Sequence, residues 1–250
     1  MSWMKTVAVS AALASAALVA APASALVTFA STIAISNNNI RYVNSGTSSP
    51  SQLYSTSTLT PNASSPATIV FGVTDAVAGS LPLAATLSTF QFDALVPTIT
   101  GLSAGSAFDI TGVSGTFSIL SNLPVTIGSL TSNVLLTATF TNATLSGVIG
   151  APAITLAGNS TTGTVQFFSD FLDFSQVNNA AFSFTGSATG NLATATGGRL
   201  AGFRSTVTPN FSSNPPPNLT VPEPETWAML VLGFGLVGVS VRRRRRVVVA

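Results

Sequence analysis

The 250-residue chain contains no cysteine and no histidine. The first absence excludes a disulfide framework and thiolate metal sites. The second removes imidazole ligation, and together they remove Ser-His-Asp and Cys-His catalysis. Charge is scarce as well, at 6% of residues, against about a quarter in ordinary soluble domains. The sequence offers no catalytic set, no metal-ligand set and no cofactor motif in a credible context, so an enzyme is not expected.

The few charges are unevenly placed. Lys5 and the run Arg242, Arg243, Arg244, Arg245 and Arg246 sit at the two ends, and Glu223 and Glu225 lie just before the second of these. What remains between is Arg41, Arg199 and Arg204 against Asp75, Asp93, Asp109, Asp170 and Asp173, with no lysine. Three scattered arginines cannot neutralise a row of phosphates, so nucleic acid is excluded as a partner. Both tryptophans, Trp3 and Trp227, also fall at the ends.

Each end reads as an addressing segment. Residues 1–5 carry one positive charge, residues 6–20 (TVAVSAALASAALVA) form a compact apolar stretch, and small residues follow at Ala23 and Ala25. This is the layout of a signal peptide over 1–25, with cleavage by signal peptidase expected after Ala25. The apolar stretch is too short to span a bilayer comfortably.

At the other end stand Pro222, Glu223, Pro224, Trp227 and Ala228, then the apolar residues 229–241, then the five arginines. Proline keeps a helix from extending backwards, so a helix can start only after Pro224. Trp227 suits the membrane interface, and the arginines resist crossing, which leaves the body outside and the arginines in the cytoplasm. From 227 to 241 a helix would rise about 22 Å, short of a hydrocarbon core of about 30 Å. Such a marginal transmembrane helix suits a temporary hold. The Gly233–Gly238 stretch satisfies GxGxxG, but without a preceding strand it carries no nucleotide-binding meaning.

This order of Pro-Glu-Pro, Trp-Ala, a glycine-containing apolar helix and an arginine cluster resembles the PEP-CTERM sorting domain, in its PEPxxWA variant, of Gram-negative bacteria. The resemblance covers 221–250 and implies recognition and cleavage by an exosortase, a membrane protease. It further implies export, transient anchoring in the inner membrane, and final residence at the cell surface or outside the cell. Proteins with this tail are linked to exopolysaccharide and biofilm, so exopolysaccharide or further copies of the chain are the partners it suggests. A structural surface or matrix protein is the function expected, with a carbohydrate- or ice-binding module as the alternative.

Between the ends, over 26–208, period-two alternation prevails. It is clear in 89–92 (TFQF), 116–119 (TFSI), 137–140 (TATF), 164–167 (TVQF), 181–185 (AFSFT) and 203–207 (FRSTV). Each puts apolar side chains on one face and hydroxyls or amides on the other, as half-buried antiparallel strands do. Further strands are expected at 27–35 and 68–74. The fold predicted is all-β, an antiparallel β-sandwich or jelly-roll-like body whose sixteen phenylalanines fill the interior, with a β-solenoid as the alternative. Residues 37–66 read as a long loop and 209–220, with three consecutive prolines, as a linker.

Two features could carry chemistry. Asp170 and Asp173 are the one close pair of acids, able to meet in a turn as a calcium ligand pair, or to serve as caps and turn acceptors. The threonine pairs Thr98/Thr100, Thr137/Thr139 and Thr194/Thr196 could form a flat hydroxyl array, or simply face solvent on strands.

Overall fold

The computed structural model describes residues 25–46, 50–57, 65–74, 77, 85–219 and 234. These residues form β1 (Val27–Ala34), β2 (Ile40–Val43), β3 (Ser51–Ser55), β4 (Ala67–Val73) and β5 (Thr86–Val96). Two long strands follow, β6 (Ala107–Ile127) and β7 (Leu130–Val148), then β8 (Ala153–Asn159), β9 (Thr164–Phe168) and β10 (Leu172–Asp173). The chain ends in β11 (Asn179–Ala188), β12 (Thr194–Ala195), β13 (Arg199–Leu200), β14 (Phe203–Asn214) and β15 (Asn218–Leu219). The body is the all-β antiparallel architecture that the alternation predicts, and the stretches with the clearest alternation lie in β5, β6, β7, β9, β11 and β14.

Eleven of the strands make one sheet in the order β1-β4-β5-β3-β2-β14-β11-β8-β7-β6, with β9 also on β7. Two further ladders, β5 with β6 and β1 with β14, close the sheet on itself. β5 and β14 are the hinges of this closure. One edge of β5 is covered along its length by β6, while its other edge takes β4 over 86–90 and β3 over 93–96. Likewise β14 takes β2 over 203–205 and β1 over 210–213. All ladders between described strands are antiparallel, unlike the parallel coils of a solenoid.

The alternation supplies the interior. Phe90, Phe92, Phe117, Phe140, Phe182, Phe184 and Phe211 are buried. Phe184 stands edge-on to Phe90 at 5.7 Å, Phe92 at 5.4 Å and Phe117 at 5.5 Å. Burying such a side chain is worth about 2 kcal/mol, and edge-on ring pairs add about 1 kcal/mol.

Two expected irregular stretches are strands instead. Within 37–66 lie β2 and β3, short segments whose edges are completed by neighbours. The region 209–220, expected as a linker, continues β14 as far as Asn214, and 218–219 pair with β10. Pro209 is tolerated because its missing N–H falls where the covering ladder changes. Val207 turns its N–H to Asn39, so the backbone of 209 points the same way, between β2 and β1, and the Pro209 carbonyl accepts from Thr32 Oγ1 at 3.4 Å.

No described helix is long and apolar enough to cross a membrane. The expected signal helix lies outside the described residues, and so does the expected transmembrane helix over 229–241 apart from Phe234, which is exposed.

Candidate functional site

The site is built where one strand position is filled twice. β8 lies against residues 144–147 of β7, and β9 lies farther along the same edge, against 137–141. The loop between them is tied by Asn159, whose Oδ1 accepts from the Thr161 and Thr162 amides at 3.0 and 2.9 Å. Gly163 then lets the chain return to β7, since a Cβ there would stand 2.1 Å from the Thr141 carbonyl oxygen.

β8 is covered on its far side by β11, but β9 is not. β11 begins at Asn179, and before it the chain turns away. The Val177 amide bonds the Phe174 carbonyl at 3.0 Å and the Ser175 amide bonds Asp173 Oδ1 at 2.8 Å. The outer edge of β9 is therefore left along a cleft of about 580 Å³, walled by Gln166, Phe167, Phe168, Asp173, Phe174 and Asn178 among others.

The strand period decides what β9 presents. Val165 and Phe167 point inward and are buried, whereas Gln166 and Phe168 point outward, Phe168 being 55% exposed. Outward residues of four neighbouring strands fall into register with them. One row is Gln91, Ser118, Thr137, Phe168; the next is Asp93, Thr116, Thr139, Gln166. Together they line a second hollow of about 500 Å³, and Phe168 borders both hollows. None of the described arginines lines either one. Arg41 and Arg204 are instead register partners of each other on β2 and β14.

Asp170 and Asp173 do not act together. Asp170 accepts from the Ser132 hydroxyl, while Asp173 closes a turn onto Ser175. The Ser175 amide, then its hydroxyl, hold the Asp173 carboxyl below the usual carboxylate range. Among the described residues no three acids gather into a group that could hold a metal ion.

Of the threonine pairs, only Thr137 and Thr139 stand on the main sheet, where they join the rows above. Thr98 and Thr100 lie in a loop, and Thr194 and Thr196 straddle the end of the two-residue β12. The signal for Phe168 was present in the sequence: the doublet Phe167-Phe168 puts an aromatic ring at a position where the alternation calls for a polar one.

The sorting residues Pro222, Glu223, Pro224, Trp227 and Ala228, the arginines Arg242 to Arg246, and Ala23 lie outside the described residues. Ala25 is described and exposed. Residues 220–246 match the family of the PEP-CTERM protein-sorting motif. No curated protein and no solved structure matches the chain. The motif marks an exported protein that an exosortase recognises and that is anchored transiently in the membrane.

Proposed function

We propose that this chain is a non-enzymatic structural or adhesive protein of the cell surface or extracellular matrix, delivered as a folded β-body and released there from its sorting tail. The observation that carries the reading is the matched motif at 220–246, where a proline-bounded apolar stretch is stopped by five arginines. A signal peptide over 1–25 brings the chain to the membrane, and the helix over 229–241 holds it there until cleavage. The chemistry of the body supports the same reading. Its outward rows are hydroxyls and amides, its charges are few, and its β9 edge carries no lysine to repel a neighbouring strand or a polymer.

The test is mass spectrometry of the protein recovered from producing cells. Expected are an N-terminus at Leu26 and a C-terminus short of the arginine cluster, in protein recovered from the surface or medium. Full-length chain in the cytosol, uncut at both ends, overturns the reading.

A further inference from the structure

Resting on the reading that the body works outside the inner membrane, we propose that the outward face of β5, β6, β7 and β9, rimmed by Phe168, is a binding site for a neutral polysaccharide. Sugars offer two kinds of surface at once, an apolar face of C–H groups and a rim of hydroxyls. The first needs an exposed flat ring, and the second needs a mixture of donors and acceptors held in fixed positions.

Phe168 meets the first need. The adjacent Phe167 is 5% exposed and packs on Phe29 and Phe117, whereas Phe168 is 55% exposed and makes no ring pair among the described aromatic contacts. Leaving an aromatic ring in water forgoes about 2 kcal/mol of burial, which a stacked partner would return. The in-register rows meet the second need. Ser118, Thr137, Thr116 and Thr139 each supply a hydroxyl that donates and accepts, and Gln166 adds an amide. Successive columns are set about 4.8 Å apart by the strand spacing.

Charge selects the class of polymer. Each hollow has one aspartate, Asp93 in one and Asp173 in the other, and neither has a cation. Carboxylates accept hydrogen bonds from sugar hydroxyls but repel uronate or sulfate groups, so an acidic polysaccharide meets two like charges and no counter-charge. Size selects length. The hollows, of about 580 and 500 Å³, share Phe168 as a wall. A chain crossing the ring from one hollow to the other fits this arrangement better than a single sugar seated in either.

The experiment uses processed protein recovered from producing cells, with both termini read by mass spectrometry in the same preparation. Isothermal titration is run with dextran and cello-oligosaccharides as neutral probes and alginate as the acidic one. Expected are binding to a neutral probe, none to alginate, and a loss of about tenfold or more for F168A and Q166A with unchanged melting temperature. No binding to either neutral probe, unchanged affinity in both variants, or preference for alginate overturns the proposal. So does a concentration-dependent dimer that F168A dissociates, since the face would then join copies of the chain. Uncut termini would count against export and processing independently of the titration.

Discussion

Asn39 and Val207 are bonded as if both belonged to a ladder. The Asn39 side-chain amide donates to the Val207 carbonyl at 2.9 Å, and its side-chain carbonyl accepts from the Val207 amide at 2.8 Å. Asn39 is fully buried, and its own backbone carbonyl accepts from the Thr56 amide at 3.0 Å. A side chain thus fills the position between β2 and β1 where no strand covers β14.

Replacing it with a residue of similar shape strips both partners. N39L leaves a buried N–H and a buried C=O on Val207 without protein partners, and each such group costs about 1–3 kcal/mol. Urea unfolding is expected to show a loss of about 3 kcal/mol with an unchanged slope. A loss below 1 kcal/mol would mean that water replaces the amide.

The ring cluster gives the second prediction. Phe184 touches Phe90, Phe92, Phe117, Phe182 and Phe211, and β11 is bonded on both sides, so the neighbours cannot close in. F184A is expected to destabilise the body by about 4 kcal/mol, seen as a large drop in melting temperature.

Gly163 gives the third. An added methyl group would meet the Thr141 carbonyl oxygen at 2.1 Å, and backbone cannot yield as a side-chain tip can. G163A is expected to cost about 2 kcal/mol, and hydrogen exchange should show β9 losing protection more than β8.

Proton linkage gives the fourth. The Tyr42 hydroxyl is raised above its ordinary 10.0, chiefly by burial, while a hydrogen bond to Ser51 and the charge of Arg199 pull the other way. Unfolded tyrosine ionises first, so the stability linked to this group is whole below about pH 10 and is lost as pH rises beyond it. Asp173 has the opposite sign. Its pKa is lowered by Ser175, so its contribution is present above the ordinary 3.8 and is lost as pH falls below that. Melting curves of Y42F and D173N should flatten the alkaline and acid limbs respectively.

The strands were legible wherever alternation ran long enough to show its period. In 181–185 and 203–207 every second residue enters the core. The stretch 37–66 was not, because β2 and β3 span only four and five residues, and Asn39 reads as loop material although its amide serves as a strand edge. The strand over 209–214 was hidden by Pro209, which sits at the single ladder junction where no donor is needed. For the binding face, the hydroxyls of Thr137 and Thr139 were visible as a pattern. Their partners Ser118, Thr116 and Gln166 were not, since cross-strand register depends on turns and bulges far away in the chain.

β1 starts where β14 finishes: Val27 is the ladder partner of Ser213. Both ends of the body therefore leave from one pole, close enough for a leader and a tail to share a single patch of bilayer. Pulled against each other, two such ends peel the ladder rung by rung instead of shearing it all at once. The body can hang from either tether without distortion, yet it would open like a zip under a modest force applied between them.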